Sequence, residues 1–433
     1  MTNDGRGRPD DQRVVVTGVG IVAPNAIGAR PFVAAVREGR SGIRKIPKLE
    51  ELGFGCRVAG VPEGVEQLVE KTFPESERIA MNLGHRYACL AALEAWDDAG
   101  LDRPQPDSEP DWDSGAVLGT GIGGMDTIGD KVVPLTDAGR VRRLGSTAVE
   151  QVMASGISAR VSGLLALGNQ VTTNSSACST GTEALLEGAE RIRRGGARRM
   201  LCGGAEGASH YIWAGFDAMR VMNRASNEAP ERASRPMSAS AGGFVPGAGA
   251  GVLLLESLPS ALERGATIHA EVLGGMLNCG GHRGGGSMTA PNPDGVRRCI
   301  RGALQDAGVA PTEVDAINGH LTATGADPRE VTAWAEALEC NGRRLPPITS
   351  TKSMVGHCLG AAGAVECVAS VLMLRERFVH PSINCEDVHE EIAPHAASIP
   401  HAAMSLPDMR VIAKAGFGFG DVNSCIVFGS LEG

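Results

Sequence analysis

A single thiol at the end of a hydroxyl-rich run is where this sequence offers covalent chemistry. The stretch Val171-Thr172-Thr173-Asn174-Ser175-Ser176-Ala177 is β-prone and stops at Cys178, and the residues after it read as a helix that continues to Arg194. Ala184, Leu185, Gly188, Ala189 and Ile192 share one face at helical spacing; Ser179 or Thr180 can cap the start, and Gly195-Gly196 stop it. A cysteine at such a helix start meets unpaired backbone N–H groups and the positive end of the helix dipole, both of which favour thiolate. The commoner role of any one cysteine is that of a small buried apolar side chain, so this setting alone leaves Cys178 between the two readings.

A sulfur that attacks a carbonyl needs a partner to manage protons and donors for the oxyanion that forms. The second half of the chain supplies candidates at element ends. His320 follows a strand ending at Asn318, and Lys352 and His357 lie in the segment Thr351-Lys352-Ser353-Met354-Val355-Gly356-His357, between a strand and a small-residue helix. Taken singly, each histidine reads more readily as a surface or satisfied core residue.

The elements that would position these residues alternate along the chain. Strands are expected at 14–22, 116–118, 200–205 and 251–256, with helices at 29–38 and 87–99 and the cysteine helix between. A helix from Pro259 to Arg264 leads into a second set: a strand from Val272, a helix over 295–307, strand 314–318, helix 328–338, strand 348–350, helix 360–374 and a last strand over 423–428. Short apolar strands alternating with helices imply a helix-covered, largely parallel sheet, and the similar element order of the two sets suggests an ancient duplication. Gly119-Thr120-Gly121-Ile122-Gly123-Gly124 offers the glycines of a dinucleotide fingerprint without its context, so close packing around a site is the expected reason for them. Gly280-Gly281-His282-Arg283-Gly284-Gly285-Gly286 reads as a mobile surface or rim loop.

Composition narrows the classes. At 433 residues the chain exceeds one ordinary core, and a formal net charge of −9 gives no general attraction for nucleic acid or anionic membrane. The local basic clusters, 191–194 with 198–199 and 142–143, read as solvated helix ends. Eleven cysteines without metal-like spacing fit a reduced, cytoplasmic protein with no metal site, Met1–Arg13 is too polar for a signal peptide or anchor, and no run is long enough for membrane insertion.

Five ordered motifs make the sequence resemble the β-ketoacyl-acyl carrier protein synthases, most closely their type II branch. Ser176-Ala177-Cys178-Ser179-Thr180-Gly181 looks like the nucleophile motif, and Arg235-Pro236-Met237 with Gly242-Gly243-Phe244-Val245 and Gly249-Ala250-Gly251 like the central segment. Asn318 to Thr324 and Lys352 to Glu366 resemble the two histidine motifs, and Gly416-Phe417-Gly418-Phe419-Gly420 the glycine-phenylalanine loop. The resemblance implies an α/β, thiolase-like fold of two similar halves, 1–258 with the nucleophile and 259–433 with the histidines, stacked as five α-β-α-β-α layers. It implies acyl transfer to Cys178, then decarboxylation of malonyl on an acyl carrier protein and condensation of its carbanion with the acyl-cysteine.

By that resemblance His320 and His357 donate to the enolate oxygen, the backbone N–H groups of Cys178 and Phe417 form the thioester's oxyanion hole, and Lys352 with Glu366 gives electrostatic support to His357. Phe417 is the gate that admits malonyl, Phe419 adjoins the substrate, and Thr289, Thr322 and Thr324 bind the pantetheine arm. Arg78 and Arg224 lie near positions used for carrier-protein docking. No cofactor of its own is implied, since 4'-phosphopantetheine arrives on the carrier protein; a homodimer is expected, or a heterodimer with a ketosynthase-like subunit. Departures cluster at the rim: Leu321 stands for glycine, Asp421-Val422 for Gly-Thr, Gly325-Ala326-Asp327 is one residue short, and Ala248 replaces an acidic residue. A non-catalytic chain-length-factor-like subunit is the alternative, disfavoured because such subunits typically lack the cysteine. A degradative thiolase would place a second cysteine in a late glycine loop, whereas Cys425 falls inside the last strand.

Overall fold

A computed structural model of the chain describes residues 7–431. Ten strands form the path of the eleven-stranded main sheet, β1 Val14–Ala23, β2 Ser114–Gly119, β3 Val171–Thr172, β4 Arg199–Glu206, β5 Gly249–Ser257, β6 Ala270–Cys279, β7 Ala316–Asn318, β8 Ile348–Thr349, β9 Val411–Gly418 and β10 Val422–Gly429; the eleventh, Ala26–Ile27, pairs only with the end of β1. Their spatial order is β8-β7-β9-β10-β6-β1-β5-β4-β2-β3. Split between β6 and β1, this is one pattern used twice. The first five strands run 3-2-4-5-1 and the last five repeat that order, with the same two parallel pairs (β2 with β3 and β4; β7 with β8 and β9) and the same two antiparallel ones. The two sets join edge to edge only at Val14, Val15 and Val16, opposite Val272, Glu271 and Ala270.

Six helices repeat likewise: α1 Leu83–Asp98, α2 Gly156–Leu165 and α3 Thr180–Arg193 in the first set, α4 Pro293–Ala307, α5 Asp327–Ala337 and α6 Ala362–Arg375 in the second. Local chemistry sets their ends. Asn82 accepts from the His85 N–H in a capping box at α1, while α4 has Asn292 as cap, Pro293 at its first position and left-handed Gly308 at its end. Three apolar clusters separate the layers. Ala184 and Leu185 of α3 pack with Val365 and Val368 of α6 between the sheets; α1 and α2 cover the first sheet's outer face, and α4 and α5 the second's. The result is the five-layer α-β-α-β-α stack. α6 is buried on all sides, the condition a central helix requires.

At the centre α3 and α6 touch through glycine. A Cβ on Gly181 would lie 2.4 Å from the Ala364 nitrogen, and one on Gly363 would lie 2.6 Å from Thr182 Oγ1. Two differences from the sequence expectation alter the walls of the cavity above these helices. Residues 411–418, with no strand assigned from sequence, form β9, so Gly416, Phe417 and Gly418 are strand residues and the glycine-phenylalanine loop shrinks to a turn at 419–421. The last strand also begins one residue earlier, at Val422.

Candidate active site

Cys178 sits in a single 3-10 turn, Ala177–Ser179, that leads into α3. No side chain caps that helix start; instead Thr180 Oγ1 takes the Ser176 N–H at 2.8 Å and donates to the Ala177 carbonyl at 2.7 Å, which fixes the turn. The expected thiolate is not the resting form. Burial pushes the thiol up to about 11, against the opposing pull of Lys352, the Phe419 backbone N–H and Lys414. Desolvation therefore outweighs the favourable charges around it.

Two imidazoles face the sulfur. His357 Nε2 lies 3.1 Å from Cys178 Sγ, and the His320 ring stands edge-on to that of His357 with centroids 5.5 Å apart. Their outer nitrogens settle the tautomers. His357 Nδ1 accepts the Leu359 backbone N–H at 3.1 Å, and His320 Nδ1 lies 3.3 Å from Lys352 Nζ, which can only donate. Each ring consequently carries its proton on Nε2, aimed into the chamber. Burial, then Lys352, holds both rings well below the usual histidine range, with Lys414 adding to the effect. The sulfur and ring nitrogens come within 4.8 Å of one another, a spacing a metal ion could bridge, but a metal would need the Nε2 lone pairs that these tautomers protonate.

The lysine belongs to the other histidine. Lys352 Nζ donates to the His320 carbonyl at 2.6 Å and pairs with Glu366, so its support goes to His320 directly rather than to His357 as the sequence suggested. Glu366 is in turn shared with Lys414, whose Nζ lies 3.1 Å from Oε2. All three side chains are buried.

Phe417 and Phe419 exchange parts relative to expectation. Phe417 is fixed in β9 opposite Asn423, with its ring 6.1 Å from that of His320. The backbone donor that faces the thiol is Phe419's, in the turn beyond the strand, while its own ring packs 5.9 Å from Phe216. Gly418 lets this turn approach, since a Cβ there would stand 3.0 Å from the Cys178 nitrogen.

These groups line one cavity of about 800 Å³ that also takes in Thr289, Thr322, Thr324 and the apolar side chains of Phe216, Val221 and Phe244. Thr322 and Thr324 bond each other at 3.0 Å across the wall. Thr289 belongs to the exposed segment 280–291, which is surface without helix or strand. The two docking candidates are already engaged: Arg78 Nη1 lies 3.6 Å from Glu70 and Arg224 Nη2 lies 3.2 Å from Asp217.

Three buried acids and one lysine were not singled out from sequence. Glu206 accepts the N–H groups of Gly121 at 2.8 Å and Gly360 at 3.0 Å, tying a glycine turn of each half together and accounting for the first glycine-rich segment. Glu330 accepts from the His320 and Leu321 N–H groups at 2.6 and 2.8 Å, and burial pushes it up to about 7. Asp327 takes the N–H groups of Thr322 and Ala323, holding the same turn from the next helix. Lys414 had a visible signal, a lone charge inside the apolar run Val411-Ile412-Ala413-Lys414-Ala415.

The chain matches the family model described as "Beta-ketoacyl synthase, N-terminal domain" over residues 11–261 and its C-terminal counterpart over 269–386. It is 34% identical to the 3-oxoacyl-[acyl-carrier-protein] synthase 2 of Vibrio harveyi over 96% of this chain and 98% of that one. A solved beta-ketoacyl synthase from Burkholderia phymatum superposes with a TM-score of 0.88 at 30% identity, covering 97% of this chain and all of the other. A type II PKS acyl-carrier protein in complex with its ketosynthase, bound to the hexaketide, gives 0.85 at 29%, over 97% of this chain and 99% of the matched one. With the nucleophile turn, both histidine motifs and the doubled sheet in place, the chain belongs to the beta-ketoacyl synthase family, acyl-transferring condensing enzymes of thiolase-like fold.

Proposed function

We propose that the protein is a β-ketoacyl-acyl carrier protein synthase that elongates an acyl chain by decarboxylative Claisen condensation, in fatty-acid or polyketide biosynthesis. The observation that carries this reading is the Cys178 sulfur 3.1 Å from a neutral imidazole whose N–H, like that of a second ring beside it, points into one shared cavity. In the first half-reaction the sulfur adds to the acyl thioester, the new C–S bond forms as the old one breaks, and the thiol proton leaves with the pantetheine thiol. Exchange of thiol for thiol needs no net proton, which suits a cysteine held near 11. The backbone N–H of Phe419 is the donor placed for the oxyanion, a role first expected of Phe417, and the turn it occupies takes over the part of gate.

In the second half-reaction the malonyl C–C bond breaks, carbon dioxide departs and the electron pair becomes an enolate. His320 and His357 meet its oxygen with two N–H donors; the enolate carbon then attacks the acyl-cysteine carbonyl and expels the sulfur as thiolate, which takes one proton from water to restore the resting thiol. Lys352, paired with Glu366, holds His320 in its tautomer, and Glu330 fixes the backbone that carries the ring. Thr289, Thr322 and Thr324 offer hydroxyls to the amides of the pantetheine arm, which enters on an acyl carrier protein, so no cofactor is held by the chain itself.

The carrier-protein complex among the relatives supports that partner. Arg78 and Arg224 remain docking candidates only if their intramolecular pairs exchange. A soluble, cytoplasmic dimer, of two copies or with a ketosynthase-like subunit, would have the exposed apolar side chains of Val133, Val141 and Val149 available to cover; among the described residues no helix is long and apolar enough to cross a membrane. Incubation with acyl carrier thioesters should add one acyl mass to the protein, and malonyl carrier protein should then release it as a β-ketoacyl product. A protein that gains no mass from any acyl chain length would refute the proposal.

A further inference from the structure

Lys414 is a full charge that the condensation scheme does not use. It stands in the middle of β9, opposite Asn318 on one side and Ile426 on the other, and its side chain is fully buried. Its Nζ donates to Thr182 Oγ1 of α3 at 2.8 Å and lies 3.1 Å from Glu366 Oε2 of α6, so it bridges the two helices that Cys178 and His357 precede. Glu366 Oε1 meets Lys352. One carboxylate thus serves two ammonium groups, and this buried row carries an excess of one positive charge. An incompletely compensated buried lysine is costly to a fold, and such groups concentrate where charge is to be handled.

We infer that Lys414 is a positioning residue that holds Glu366 in line with Lys352 and, through the resulting positive excess, favours negative charge on the Cys178 sulfur and on the substrate oxygen beside it. The inference rests on the condensing reaction proposed above for what that charge is used for, though not for its effect on the sulfur. The other titratable groups around Lys414 do not cancel the excess: Cys367 of α6, Cys425 of β10 and Cys299 of α4 are thiols pushed upward by burial and stay neutral. Glu330, raised to about 7 by burial, is ionised at pH 8, but its two oxygens face the backbone N–H groups of His320 and Leu321 and neither meets Lys414. Lys414 pulls the Cys178 thiol down against burial and helps keep both imidazoles unprotonated.

The test is the rate at which iodoacetamide alkylates Cys178 in the full-length protein across pH 6 to 10, read by peptide mass, which requires no substrate. Alkylation follows the thiolate fraction, and loss of a neighbouring positive charge raises a thiol's pKa. Lys414→Met should therefore slow alkylation at pH 8 about tenfold, equivalent to about one unit upward in the thiol's titration. Lys414→Arg, which keeps the charge, should hold the wild-type profile, and so should Thr182→Val, which removes only the neutral partner. Should the methionine variant not fold, Lys414→Gln carries the same expectation. An unchanged profile in the neutral variant, or an equal shift in Thr182→Val, would overturn the inference by showing that packing rather than charge is at work. If the shift appears in a protein that never accepts an acyl group, the electrostatic assignment stands and the condensing function fails.

Discussion

The two halves share a strand order, a helix order and even a glycine at the second position of their central helices, yet they load the site with opposite chemistry. The first half brings a nucleophile and open space: Cys178 at the mouth of α3, and after β2 the Gly119-to-Gly124 turn packed against Glu206 and the second half's Gly360. The equivalent places in the second half hold His320 after β7, Lys352 and His357 before α6, and Lys414 inside β9. The repeated pattern sets two helix starts against each other, one carrying the electrophile-seeking sulfur and the other the proton-bearing, positively charged groups, so neither half is complete by itself.

Removing the first half's single contribution should have the largest effect. Cys178→Ala is expected to abolish acyl loading, seen as no added mass after incubation with acyl carrier thioesters, because no other residue in the chamber can form the thioester. Next come the second half's imidazoles. His320→Ala and His357→Ala should each lower malonyl decarboxylation by about a hundred- to a thousandfold, the scale for loss of one preorganised donor. They should differ in the other half-reaction. His357 touches the sulfur and His320 does not, so acylation of Cys178 should suffer mainly in the His357 variant. Equal losses in both reactions would show that the rings do not divide the work as their contacts suggest. The acid limb of the wild-type rate provides a check without mutation. Both rings are held well below the histidine range, so activity should persist as pH falls through about 6.5, the ordinary value, and decline only below it.

A smaller effect probes the scaffold. Alanine at Gly181 would set a Cβ 2.4 Å from the Ala364 backbone nitrogen, and alanine at Gly363 would meet Thr182 Oγ1 at 2.6 Å and its nitrogen at 2.8 Å. Both should destabilise by about 1–3 kcal/mol, the usual cost of overpacking. Gly181→Ala should be the worse because its nearest obstacle is backbone rather than a hydroxyl; denaturant midpoints measure the difference. If the ranking reverses, the helix crossing is less symmetric than the strand order implies.

Sequence patterning disclosed the duplicated order of elements, the cysteine turn and both histidine segments, because each is written locally in hydrophobic period and terminal residues. What it missed depends on partners distant in the chain. β9 went unassigned because Lys414 and two glycines, Gly416 and Gly418, interrupt its apolar run, and only the α3–α6 crossing explains why a lysine is buried there. The assignment of the backbone donor to Phe417 failed for a related reason: once β9 is a strand through Gly418, Phe417 is committed to the ladder and the free N–H moves to Phe419. Likewise the helix start predicted a thiolate from local fields, while the tertiary burial that outweighs them has no sequence signature.

The equivalent strands β4 and β9 also end differently. Each is followed or closed by a buried carboxylate that takes backbone N–H groups. Glu206, at the end of β4, reaches across to Gly121 and Gly360 and so joins both halves; Asp421, after β9, takes the N–H groups of His282 at 3.0 Å and Asn292 at 2.7 Å and stays within its own half. Beside it, the Gly420 N–H donates to the Met288 carbonyl at 2.8 Å. The fit is close, since a Cβ on Gly280 or Gly286 would fall 2.3 or 2.4 Å from Asp421 Oδ2. Every hydrogen bond described for residues 281–291 that leaves the segment 279–292 ends on Gly420 or Asp421. Asp421→Asn turns one acceptor into a donor facing an N–H, a change of about 1–2 kcal/mol confined to that attachment. Amide exchange in 281–291 should then quicken about tenfold while the strands keep their protection. Glu206→Gln, by contrast, should weaken protection in both halves. A uniform rise in the Asp421→Asn protein would mean that this rim is fastened to the fold as a whole and that the two carboxylates do the same job.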